Sequence, residues 1–92
     1  MTVRRILVVD DDPLSREFMT EAVQALGYLA LVAPNGVEAM ERVADGNPDL
    51  VISDLRMPGM DGIELCRKLA TERSDLPVVV VTAHGTIETA VE

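Results

Sequence analysis

Short β-branched runs alternate along the whole chain with longer segments of helical period, and this alternation restricts the fold to a doubly wound α/β sheet. Strands are expected over 4–9, 28–33, 49–54 and 77–82. Helices are expected over 13–26, 36–45 and 62–72, with a further helix beginning near 86. The helix starts carry their own signals. Pro13 suits a first helical position behind Asp12 as cap, and Asn35 with Glu38 and Asp61 with Glu64 have capping-box spacing. Gly27 after Leu26 reads as a helix stop. No repeat, low-complexity tract or linker divides the 92 residues, so one domain over 1–92 is expected.

Two of the strands end in acid. Asp10, Asp11 and Asp12 close the run ILVV, and Asp54 closes LVIS just before LRMPGMDG. Parallel strands of one sheet bring these ends to a common edge, where open α/β folds place their ligand sites. Thr82, after the run Val78 to Val81, adds a hydroxyl to the same edge. Carboxylates about 5 Å apart at an effective dielectric near 20 repel by about 3 kcal/mol, or about two pKa units. Either one of them keeps a proton, or a hard divalent cation neutralises them. A rim hydroxyl suits a phosphoryl group better than a proton, which favours Mg²⁺ (or Mn²⁺) with phosphate.

Eight basic against sixteen acidic residues give a net charge of −8, which disfavours unassisted contact with nucleic acid or an anionic membrane. Cys66, the single cysteine, cannot form an internal disulfide. No signal peptide precedes the first strand, and no apolar run approaches the roughly 20 residues that span a bilayer. A reducing, cytoplasmic setting is expected.

The segments ILVVDDDPLSR, LVISDLRMPGMDG and PVVVVTAHG, in this order, resemble the receiver domain of bacterial two-component response regulators over the whole chain. The ending TAHGTIETAVE resembles receivers of sigma-54-dependent transcription activators. The resemblance implies a flavodoxin-like sheet in the order 2-1-3-4, with the fifth strand and helix missing. It makes Asp54 the phosphoacceptor, a nucleophile taking a phosphoryl group from a phosphohistidine on a sensor histidine kinase. Asp10 and Asp11 match the metal-holding pair, Asp11 directly and Asp10 through water, joined by Asp54 and the backbone carbonyl of Arg56. Thr82 matches the hydroxyl that bonds a phosphoryl oxygen and moves on switching.

On this reading the chain is no enzyme but a regulatory domain assisting its own phosphorylation, attached to a DNA-binding output domain and making no nucleic-acid contact itself. The family's fifth-strand lysine lies beyond Glu92, and Lys68, the only lysine, falls in the third expected helix, so impaired signalling is expected. A missing fifth strand and helix would also bare the edge at 78–81 and the first helix around Leu14, Phe18 and Val23, favouring self-association.

Several residues have plainer readings. Asp12 is a helix cap or a metal ligand. His84 is a solvated loop residue or a proton shuttle. Cys66, spaced with Ile63 and Leu69, is a core residue rather than a redox thiol, and the Arg56 side chain faces solvent or pairs with the acids. Two rival functions remain. Asp10 and Asp12 could be nucleophile and acid of a haloacid-dehalogenase-type phosphatase, but that pattern wants Thr or Val where Leu14 stands and leaves LRMPGMDG without a role. The other rival is a receiver-like interaction module that is never phosphorylated.

Overall fold

The computed structural model describes residues 3–81 and the strand at 87–89. In chain order the elements are β1 (Arg5–Val9), α1 (Pro13–Ala25), β2 (Leu29–Ala33), α2 (Gly36–Gly46), β3 (Leu50–Asp54), α3 (Gly62–Glu72), β4 (Val78–Val81) and β5 (Ile87–Thr89). The first four strands are parallel in the order β2-β1-β3-β4. Val9 lies beside Ala33 and Ser53, and Asp54 lies beside Val81, so the carboxyl ends form one row.

Local chemistry sets the helix ends. Asp12 accepts the N–H of Ser15 at 3.0 Å, Asn35 that of Glu38 at 2.8 Å, and Asp61 that of Glu64 at 2.9 Å. Each satisfies an amide that the helix itself leaves unpaired. At the end of α1, Gly27 takes a φ of +95°, while Gly27 N–H bonds Gln24 O at 2.9 Å and Tyr28 N–H bonds Val23 O at 3.3 Å. This is the paired-bond stop that favours glycine. A Cβ at residue 27 would meet no atom within 4 Å, so Gly27→Ala should cost backbone strain only. We expect a loss of about 1–2 kcal/mol, much of it recovered in Gly27→Asn, in denaturant titrations. Equal stability of wild type and Gly27→Ala would contradict the left-handed stop.

Alternation along β1 divides the core. Leu7 and Val9 face α2 and α3 together with Val51, Leu65, Leu69 and Val80, whereas Ile6 and Val8 face α1 and Val23. On α1, Leu14 (77%) and Phe18 (73%) are exposed as expected, but Val23 is only 5% exposed. Five residues turn a helix by about 140° beyond a full turn, which carries Val23 from the face of Phe18 to the sheet. Cys66 is buried in the α2/α3 core, as its spacing suggests.

The end of the chain differs from expectation. In place of a helix beginning near 86, Ile87–Thr89 forms β5, antiparallel to β4, with Val81 opposite Ile87 and Val79 opposite Thr89. The sheet order is therefore β2-β1-β3-β4-β5. The outer edge of β4 offers N–H and C=O groups that need partners, and β-branched Ile87 and Thr89 suit a strand. This pairing covers the edge at 78–81, so the bare template expected there for edge-to-edge self-association is absent.

Candidate functional site

β1 and β3 end side by side and deliver their acids to one point. One carboxylate oxygen from each of Asp10, Asp11 and Asp54 lies within 4.8 Å of the other two. Asp10 is buried (3% exposed), Asp11 is exposed and Asp54 is intermediate, so the cluster opens to solvent on one side. Burial and then the neighbouring Asp10 charge, with Asp11 adding less, push the Asp54 carboxyl above the usual carboxylate range. The backbone amides of Arg56 and Leu55 oppose that shift without cancelling it.

The backbone around the acids is heavily tied. Asp10 N–H donates to Ala33 O at 3.2 Å, and Asp10 Oδ1 accepts from Asp12 N–H at 3.0 Å. Ser53, fully buried, donates its hydroxyl to the Asp54 carbonyl at 3.0 Å. The Leu55–Asp61 loop is anchored by the buried Met57, by Gly62 N–H to Leu55 O at 2.9 Å, and by Gly59 at φ +78°. Gly62 is the closest approach: a Cβ there would stand 2.5 Å from the Asp54 carbonyl oxygen.

The donor set fits a hard divalent ion. All three donors are carboxylate oxygens, and Mg²⁺ holds oxygens at about 2.0–2.1 Å in octahedral geometry, hence adjacent ligands about 2.9 Å and opposite ones about 4.2 Å apart. The three oxygens, within 4.8 Å of one another, would draw together by rotation of the carboxylate side chains to share one ion. Of the expected residues, Asp10, Asp11 and Asp54 converge, while the Asp12 carboxylate is turned to the α1 cap. Arg56 follows with its side chain exposed and forms no ion pair among the described residues. Thr82 and His84 lie outside the described residues.

Gly62 and Ser53 lie within the run LVISDLRMPGMDG but carry no role in the sequence-based expectations. A glycine directly after a capping Asp61 was the available signal for Gly62, since the cap itself asks for none there. A cavity of about 470 Å³ lined by Arg4, Arg5, Leu29, Asn47 and Asp49 lies at the opposite edge of the sheet. There Asp49 accepts the N–H groups of Arg5 and Arg4, which hold its carboxyl below the usual range. That acid is already satisfied, in contrast to the crowded cluster.

Known proteins resemble this chain in sequence and fold. The family model for the response regulator receiver domain matches residues 6–92. Response regulator MprA of Mycobacterium sp. (strain KMS) is 43% identical over 83 residues, covering 90% of this chain and 36% of that protein. The chain thus spans about a third of the length of such relatives. Response regulator TrrA of Thermotoga maritima, solved in complex with Mg²⁺–BeF, superposes with a TM-score of 0.84 at 42% identity, covering 87% of this chain and 70% of that one. TrrA in complex with histidine kinase ThkA gives 0.83 at 41% identity, covering 90% and 72%. A family match running from the first buried strand to residue 92, on top of a shared sheet order and an acidic cluster at its carboxyl edge, means that this chain belongs to the response regulator receiver domains.

Proposed function

We propose that residues 1–92 act as a phosphoacceptor, with Asp54 taking a phosphoryl group from a phosphohistidine of a sensor histidine kinase and passing the signal to an output domain. The convergence of Asp10, Asp11 and Asp54 carries this reading. An Asp54 oxygen attacks phosphorus, the P–N bond breaks, and its electron pair stays on the imidazole nitrogen, which is then protonated. The attacking carboxylate must be ionised, and burial first, then the Asp10 charge, work against that. Asp10, Asp11, Asp54 and the Arg56 carbonyl would hold Mg²⁺ or Mn²⁺, which would offset the crowded carboxylate charge and the charge on the transferring oxygens. Thr82 would donate its hydroxyl to one of those oxygens.

The kinase partner is supported by TrrA having been solved with ThkA, and the metal by TrrA with Mg²⁺–BeF. The output is proposed to be transcriptional and DNA-binding, in a cytoplasmic protein; no helix among the described residues is long and apolar enough to cross a membrane. The domain is proposed to be regulatory rather than an enzyme turning over an external substrate.

The test is labelling with radioactive acetyl phosphate in MgCl₂, followed by peptide mapping. Hydroxylamine-labile label on Asp54, absent from Asp54→Asn, is the expected result. Label on Asp10 would support the phosphatase reading, and failure to label with no metal binding would support a pure interaction module.

A further inference from the structure

Among the described residues, Arg16 is the one cation placed beside the acidic cluster by an observed bond, and no step described above uses it. It sits on the first turn of α1, where the helix dipole disfavours positive charge, so local helix energetics do not account for it. Its Nη1 donates to the backbone carbonyl of Asp10 at 2.9 Å, a part-buried, charge-assisted bond. That carbonyl belongs to the peptide joining Asp10 to Asp11.

The choice of partner is informative. With carboxylates at residues 10, 11 and 12 nearby, a guanidinium would be expected to pair with one of them. The ion pairs among the described residues are instead Arg42–Asp45 and Arg73–Asp75. Arg16 therefore holds the backbone and leaves the carboxylate oxygens open. Its own main chain is fixed on both sides, by Arg16 N–H to Asp12 O at 2.9 Å and by the Thr20 hydroxyl to Arg16 O at 2.7 Å. With Asp10 N–H on Ala33 O, the Asp10 main chain is gripped at its amide by β2 and at its carbonyl by α1.

We propose that Arg16 is a positioning residue for the divalent-cation site: its bond to the Asp10 carbonyl orders the Asp10–Asp11 peptide before metal arrives, so that ordering is not subtracted from binding. This rests on the metal reading given under Proposed function. Partners that orient ligands typically change metal affinity by about 10–100-fold when removed.

The sign of the effect separates this role from a purely electrostatic one. Removing a cation near a cation site should tighten metal binding if charge were all that mattered. Removing a positioning bond should weaken it. Mn²⁺ affinity is measured by electron paramagnetic resonance on wild type, Arg16→Met and Arg16→Lys, alongside metal-free thermal melts. The expected result is at least about tenfold weaker Mn²⁺ binding in Arg16→Met, with part of the loss recovered in Arg16→Lys, which can still donate to the carbonyl. Unchanged or tighter binding in folded Arg16→Met overturns the proposal, as does a lower melting temperature with unaltered affinity. If Arg16→Met does not fold, Arg16→Gln is judged by the same criteria. Wild type that binds no Mn²⁺ overturns the metal reading itself, and this proposal with it; an effect confined to the variants bears on Arg16 alone.

Discussion

Mg²⁺ at ten times its dissociation constant should raise the melting temperature of the wild-type chain by about 6–11 °C at neutral pH. Binding to the native state alone adds RT ln(1 + [L]/Kd), about 1.4 kcal/mol at that excess, and a domain of this size shifts by about 4–8 °C per kcal/mol. Asp54→Asn keeps the side-chain shape and removes one of the three charges. It should therefore melt higher than wild type without metal and respond little to Mg²⁺, reversing the order of the two proteins between chelator and MgCl₂.

The pH dependence has a definite sign. The folded-state pKa of Asp54 is raised by burial and by Asp10. Its contribution to stability is thus fully present below the ordinary carboxylate value and is lost as pH rises through the raised one. Metal-free wild type should lose stability over that interval relative to Asp54→Asn. The Mg²⁺ increment should grow over the same interval, because the metal needs the ionised ligand. Scanning calorimetry across mildly acidic to neutral pH, with and without MgCl₂, tests both trends. An equal Mg²⁺ shift in wild type and Asp54→Asn would remove Asp54 from the site.

Gly62→Ala should destabilise the chain by about 1–3 kcal/mol and weaken divalent-cation binding, while Gly36→Ala, whatever its cost in stability, should leave cation binding unchanged. The two glycines form a matched pair: each is the first residue of its helix, directly behind an Asx cap. Helix propensity favours alanine at either position by at most about 1 kcal/mol. What differs is the neighbour. At residue 36 the added Cβ meets Met60 along its length, Sδ at 2.6 Å, Cβ at 2.8 Å and Cγ at 2.9 Å, so Met60 must shift as a whole, but no backbone of the acidic site is touched. At residue 62 it meets the Asp54 carbonyl oxygen at 2.5 Å and Leu55 Cα at 3.1 Å, backbone that cannot move without displacing the acidic site. Urea titrations establish that both variants fold, and Mn²⁺ binding checks the contrast; equally weakened Mn²⁺ binding in the pair would refute it.

Features that depend on residues within about four positions of one another were legible in the sequence. The caps at Asp12, Asn35 and Asp61 follow from hydrogen bonds to amides three residues away, and the stop at Gly27 from one backbone angle. The alternation of Leu7 and Val9 with Ile6 and Val8 follows from the strand period, and runs ending in Asp10 and Asp54 had to share an edge once their strands were parallel.

What only the tertiary structure decided depends on neighbours far along the chain. Ile87–Thr89 carries weak local preference, and the open side of β4 selected a strand over the expected helix. The need for glycine at 62 is set by the Asp54 carbonyl, not by α3, and the partner of Arg16 by where β1 ends beneath the first turn of α1. Helix and turn signals act through bonds spanning a few residues, so they can be read in a line of letters. Edge pairing, close backbone approach and the direction of a long cationic side chain depend on distances that exist only after the strands are packed.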